Sequence, residues 1–182
     1  MGLALVACGG SATAASCPDV APAATSTTPL HDDPELEERI PDAVAGQPFE
    51  VQSYCATTSD PGGINTAPEF LEAVGVELAD VTVLRSAGPE IGNTDAHAEV
   101  VAFRYRGADE DTLRETFIRM FDESNAELGL EDELPAGVIA GKEVHLSRFV
   151  TIYVADDAIY LLSGADSPAA GAKIEDILGA LP

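Results

Sequence analysis

Three cysteines are the side chains of this sequence best suited to covalent chemistry, and each stands in a different context. A thiol can accept a lipid, pair as a disulfide, or act as a nucleophile when a base activates it. Cys55 lies between Tyr54 and Ala56, which offer no such base locally. Cys8 and Cys17 lie in a segment of small residues, so neither belongs to a recognisable catalytic motif. The cysteines therefore point to attachment and cross-linking.

The residues before Cys8 place it in a known processing signal. Leu5, Val6, Ala7 and Cys8 resemble the lipobox of bacterial lipoproteins at all four positions. The resemblance implies a diacylglyceryl (palmitate-type) lipid on Cys8, and a cell-membrane protein held by that lipid on the extracytoplasmic side. Residues 1–7 hold no Lys or Arg and are shorter than a charged start plus an apolar stretch of roughly 7–15 residues. We therefore interpret them as the truncated remnant of a signal peptide whose true start lies upstream or whose start codon was misassigned. A chance apolar leader that ends in Cys8 is the alternative.

The composition changes near residue 31. Residues 8–30 are almost wholly Gly, Ala, Ser, Thr and Pro with one charge, Asp19, which is typical of a flexible tether. Treated as a flexible coil, residues 9–30 have a root-mean-square reach of about 25 Å. Residues 31–182 carry nearly all the charged side chains and are long enough for one domain. The sequence thus predicts a lipid-anchored tether followed by a single acidic domain.

Cys17 and Cys55 remain as a possible disulfide once Cys8 carries lipid. Export to an oxidising compartment favours pairing. The bond also requires the two Cα atoms to lie within about 7 Å of each other. The sequence leaves two alternatives, a disulfide that pins the tether to the first strand or two unpaired thiols with Cys55 buried as a small apolar side chain.

The charge of the chain excludes one class of partner. The formal net charge is −23, from 32 acidic and 9 basic residues. Nucleic-acid phosphates are bound by basic patches, so we expect no nucleic-acid partner. Anionic lipid headgroups are repelled as well, which leaves the lipid on Cys8 as the expected contact with the membrane.

A search for catalytic and metal-binding patterns identifies none. His31, His97 and His145 do not form a His-Glu-x-x-His motif, and Ser53 and Ser163 lack the Gly-x-Ser-x-Gly nucleophile elbow. We therefore predict no catalytic, cofactor-binding or metal-ligating residues, although catalytic residues scattered along the sequence stay an alternative.

Two polar groups suggest weaker possibilities. The loop from Glu90 to Asp95 has oxygen donors spaced by two residues that could converge on calcium, but it lacks the third donor and the glycine placement of an EF-hand. The alternative is a hydrated acidic surface. Arg104 and Arg106 share one side of a predicted strand and could bind an anion together. In so acidic a chain, we expect these arginines to pair with neighbouring carboxylates instead.

Hydrophobic periodicity predicts alternating strands and helices. Residues 49–54, 81–86, 98–106 and 138–148 favour strands, and 150–162 favour a hairpin around Asp156 and Asp157. Thr66 and Glu69 indicate a capping box for a helix that ends at Gly75. Asp109 or Thr112 opens a longer helix, and Ser167 with Pro168 opens the last one. The order predicts an α+β fold, a two-layer sandwich in which helices cover one face of an antiparallel or mixed sheet.

Segments of the domain are similar to exported bacterial domains of uncharacterised function, although no motif with known chemistry carries the similarity. The similarity covers most of residues 40–182, from Pro41-Asp42 through Lys142-Glu143-Val144 and Ile152-Tyr153-Val154 to Ala180-Leu181-Pro182. The similarity implies an α+β fold and no site residues. We expect a membrane-anchored, non-catalytic domain that binds an unidentified protein or small-molecule ligand. An extracytoplasmic hydrolase and a surface cation-binding protein are the alternatives.

Overall fold

The computed structural model describes residues 17, 30–44, 47–58, 62–90, 97–127, 134–147, 150–163 and 168–182. The α-helices of this part are α1 (Pro34–Glu37), α2 (Pro68–Val74), α3 (Glu110–Glu127) and α4 (Pro168–Ala180). Its strands are β1 (Ala43–Val44), β2 (Gln47–Pro48), β3 (Glu50–Cys55), β4 (Val81–Glu90), β5 (His97–Tyr105), β6 (Ala136–Ile139), β7 (Lys142–Leu146), β8 (Thr151–Ala155) and β9 (Ala158–Ser163). No helix among these residues combines the length and the hydropathy that a membrane span needs.

An antiparallel sheet organises the domain. Within the described residues it has seven strands in the order β3-β4-β5-β9-β8-β7-β6, and every neighbouring pair is antiparallel. β1 and β2 form a separate short hairpin. The predicted α+β class, with helices packed on an antiparallel sheet, is confirmed.

Helices lie on both faces of this sheet, which gives three layers where the sequence predicted two. α2 and α3 pack on one face, and α1 and α4 pack on the other. The central strands are buried on both sides, and this accounts for the additional layer of helices. All five residues of β8 are buried. In β5, Ala102 and Phe103 belong to the apolar clusters on opposite faces.

The predicted hairpin around Asp156 and Asp157 is confirmed, and a second hairpin joins β6 and β7. β8 and β9 pair from Ala155 and Ala158 outward, and the intervening Asp156 has φ of +52°. Asp tolerates this left-handed region better than most residues. β6 and β7 turn at Ala140 and Gly141, where φ is +53° and +80°. The sequence around Gly141 thus forms a strand turn.

Three of the predicted helix boundaries are confirmed and one is wrong. The last helix, α4, begins at Pro168 as predicted, and its predicted N-cap Ser167 lies outside the described residues. The Asp109 carboxylate accepts a hydrogen bond from the Thr112 N–H (3.0 Å) at the start of α3. Gly75 ends α2 in the left-handed conformation. The capping box at Thr66 is absent, because α2 begins at Pro68 with Ala67 as its N-cap and no side-chain cap. Proline favours the first helical position, where its missing N–H costs no intrahelical hydrogen bond.

Candidate functional site

The predicted attachment and cross-linking cysteines fall in different parts of the structure. Cys8 lies outside the described residues, as does most of the 90–95 loop. Cys17 and Cys55 are joined by a disulfide with a Cα–Cα distance of 5.6 Å, and both are buried. The Cys17 N–H also donates to the Ala79 carbonyl (2.9 Å). The chain at Cys17 is therefore fastened to the ends of β3 and β4, and Cys55 has no free thiol to act as a nucleophile.

Ser53, Glu37 and His31 meet beside α1, in an order that does not suit hydrolysis. The Ser53 hydroxyl donates to Glu37 Oε1 (2.5 Å), and His31 Nδ1 lies 2.9 Å from Glu37 Oε2. In a serine hydrolase the histidine lies between the serine and the acid, so that it can take the hydroxyl proton. Here the acid lies between them, and Ser53 is fully buried. This trio holds the chain near residue 31 against β3.

An arginine–carboxylate cluster centred on the buried Asp33 and Arg104 lies at the same end of the sheet. Its members are Asp33, Glu35, Arg39, Arg104, Arg106 and Asp157. Arg104 Nη1 donates to Asp33 Oδ1 and to Glu35 Oε2 (3.0 Å each), while its Nε donates to Asp157 Oδ2 (2.9 Å). Arg106 Nη2 donates to Asp33 Oδ2 (2.7 Å). The expectation that these two arginines pair with carboxylates is confirmed.

The electrostatics of the cluster favour its charged form. Burial by itself would raise the pKa of Asp157, but the hydrogen bond from Arg104 and the positive charge of Arg39 outweigh it and hold the pKa below 3.8. Arg39 Nη1 lies 2.9 Å from Asp157 Oδ1, without the alignment of a hydrogen bond. Arg104 and Arg106 already have carboxylate partners, so these two arginines are poorly placed to bind an anion. The cluster is suited to holding α1 on the sheet.

A groove between α3 and β7 is the candidate binding site. Its volume is about 550 Å³. It is lined by Arg114, Glu115, Ile118, Arg119, Asp122 and Glu123 of α3 and by Glu143 and His145 of β7. Most of the lining surface is apolar although most of these side chains are charged, because their hydrocarbon stems form the walls. An apolar cleft with a charged rim is the usual form of a ligand site.

The charged side chains that line the groove differ in whether they form ion pairs. Arg114 pairs with Glu110 and Asp111, and Arg119 pairs with Glu123, all within α3. Neither Glu115 nor Glu143 has an ion pair with any described residue. The groove therefore offers unpaired carboxylates beside neutralised arginines.

His145 adds an unsatisfied polar atom to the groove lining. Its Nδ1 is buried and has no hydrogen-bond partner among the described residues. Buried polar atoms are usually paired, so this nitrogen is an exception that the described contacts leave unexplained.

Sequence analysis did not identify this groove. The sequence signal that could have identified the α3 side of the groove is the spacing of Glu115, Ile118 and Asp122, which are three and four residues apart on one helix face. The approach of Glu143 and His145 to that face follows from the strand order and has no local signal.

Outside the groups named above, the described residues form no further recognisable reactive or metal-binding cluster. No group of three or more His, Cys, Asp or Glu side chains among them could hold a metal ion. The groove is therefore a candidate site on the strength of its shape and its lining side chains. Comparison with known proteins adds no further constraint, since no family model, curated protein or solved structure matches this chain.

Proposed function

We propose that this protein is a lipid-anchored, extracytoplasmic binding domain without catalytic activity. The lipobox-like residues Leu5 to Cys8 and the tether that follows them support the anchor. The groove between α3 and β7 supports binding, because it combines apolar walls, unpaired carboxylates and an unsatisfied histidine nitrogen. The inward-facing, carboxylate-bound Ser53 and the disulfide-bonded Cys55 weigh against the hydrolase alternative.

The disulfide changes the expected distance between the domain and the membrane. With Cys17 bonded to Cys55, the free tether from Cys8 spans residues 9–16 instead of 9–30. For the coil that its composition predicts, the root-mean-square reach falls from about 25 Å to about 16 Å. A lipid on Cys8 would therefore hold the domain close to the bilayer, at the end of the sheet where β3 ends and β4 begins.

Mass spectrometry of the native protein tests the anchor. We expect a chain that begins at Cys8 and carries the added mass of a diacylglyceryl group on that residue, recovered in the membrane fraction. The Cys8→Ser variant is expected to lose both the added mass and the membrane association. An unmodified Cys8 in a cytosolic protein would refute the anchoring proposal.

Binding in the groove is testable by NMR with neutral aromatic and aliphatic fragments, using the full chain with Cys8→Ser. We expect chemical-shift changes concentrated in residues 115–123 and 142–146, since these segments line the groove. The Glu143→Trp variant fills the groove and is expected to abolish them. Glu50→Trp, on the opposite edge strand, is the matched control and is expected to leave them unchanged. Shifts confined to the α4 face, or none at all, would argue against this site.

A further inference from the structure

We infer that the groove between α3 and β7 binds a basic, amphipathic helical segment of another protein. This inference rests on the proposed binding function and names the class of ligand. Three observations carry it, namely a strip of sheet beside α3 that no described helix covers, an exposed apolar side chain on that strip, and a rim of unpaired carboxylates.

The uncovered strip is formed by β6 and β7. On the face where α2 and α3 pack, α3 contacts β8 and β9. β7 and β6 continue the sheet beyond these two strands to its edge. Two strands span about 10 Å, which is also the diameter of a helix with its side chains. The strip therefore has room for one further helix alongside α3.

The side chains on this strip are suited to an amphipathic partner. Val138 of β6 pairs in register with Glu143 of β7, and the two share the face that α3 occupies. Val138 is 73% exposed, and only Leu30 is another strongly exposed large apolar residue in the described part of the chain. Ile118 of α3 is half-buried in the groove wall, and Val138 lies next to the groove on β6, opposite Glu143, so the apolar surface continues from the groove onto the edge strand.

The charge around the strip selects a basic partner. The groove is lined by four carboxylates and two arginines, and both arginines are already paired within α3. Glu115 and Glu143 are exposed on opposite sides of the groove. Lysine or arginine side chains at the edges of a bound helix would reach both carboxylates. The net charge of −23 would also attract such a segment over a longer range.

Other occupants are disfavoured by the same charge. The segment 128–133, which joins α3 to the strand β6, contains Glu131, Asp132 and Glu133 and would place three more acids in an acidic groove. A second copy of this chain brings another −23. Anionic lipids and nucleic acids are repelled for the same reason. A basic segment of a different protein is the occupant that complements the surface.

Fluorescence anisotropy with a labelled helical peptide of Leu, Lys and Ala tests this inference on the full chain carrying Cys8→Ser. We expect saturable binding that the Glu115→Lys/Glu143→Lys double variant weakens by about tenfold, because two attractive pairs become repulsive. Glu175→Lys/Glu50→Lys is the matched control, since it changes the charge equally on α4 and on the opposite edge strand. It should weaken binding less than about threefold, through long-range charge alone. Val138→Ser changes an exposed side chain and is also expected to weaken peptide binding. It replaces the double variant in the test should that variant fail to fold.

Several outcomes would overturn the inference. Equal losses in the two double variants would show attraction by overall charge alone. Equal affinity for a scrambled peptide of the same composition would exclude recognition of an amphipathic helix, and equal affinity for a Glu-for-Lys peptide would exclude selection for basic partners. Dimerisation that blocks the groove would identify a second copy as the occupant. Should neutral fragments bind in the groove while the peptide does not, this inference fails and the proposed binding function stands.

Discussion

Replacement of Asp33 by alanine is expected to lower the free energy of unfolding by about 3–5 kcal/mol. The Asp33 side chain is only 3% exposed and accepts hydrogen bonds from both Arg104 and Arg106. It also caps α1 by accepting from the Leu36 N–H (3.1 Å). Removal of this carboxylate leaves two guanidinium groups with fewer partners in a poorly solvated site, which costs more than the loss of an exposed ion pair. Urea denaturation followed by circular dichroism measures the change.

Two further variants separate the contributions of Asp33. Asp33→Asn keeps an N-cap acceptor and removes the charge, so we expect it to be destabilised nearly as much as Asp33→Ala. Asp42→Ala removes an exposed aspartate nearby and is expected to change stability by less than about 0.5 kcal/mol. A loss of only about 1 kcal/mol in Asp33→Ala would equal that of a missing helix cap and would contradict the importance of the buried ion pairs.

Removal of the disulfide is expected to have an effect of similar size. The Cys17→Ala/Cys55→Ala variant opens a loop with a sequence separation of 38 residues. The chain-entropy relation gives a loss of about 4 kcal/mol for a loop of this length. Alanine is preferred to serine because both positions are buried and a hydroxyl there would need a new hydrogen-bond partner. Urea denaturation in the Cys8→Ser background measures the loss without interference from a third thiol.

Reduction of the parent protein provides the control for this prediction. Dithiothreitol should lower the unfolding midpoint of the chain with Cys17 and Cys55 and leave that of the alanine variant unchanged. Identical midpoints for the parent chain with and without reductant would contradict a stabilising cross-link.

The Asp33 contacts and the disulfide act on the same part of the molecule. Cys17 is bonded to the end of β3, and Arg106 Nη1 lies 3.8 Å from Cys17 Sγ. Arg106 in turn donates to Asp33, which begins α1. The segment that leads into the domain is thus fastened at two points to one end of the sheet. For a protein anchored through Cys8, we expect a pull on the tether to be borne at this end and not at the groove between α3 and β7.

Elements with local signals were predictable from the sequence. The Asp109 cap and the Asp156-Asp157 turn are confirmed, because their hydrogen bonds and backbone preferences involve residues only a few positions apart. The capping box at Thr66 was wrong because two local signals competed there, and Pro68 set the helix start. The α+β class followed from the order of these elements.

Long-range contacts were not predictable in the same way. The polar side of β5 indicated that Arg104 would meet carboxylates, but its partners Asp33 and Asp157 lie 71 and 53 residues away. The strand order brings β5 beside β9, and the second helical layer then covers that polar side. The groove likewise exists because β7 lies beyond the strands that α3 covers. Composition and local spacing thus determined the acidic character and the element order, whereas the anchor stays a prediction. The layer count, the ion-pair partners and the groove depend on which distant strands become neighbours, and local backbone preferences do not specify this.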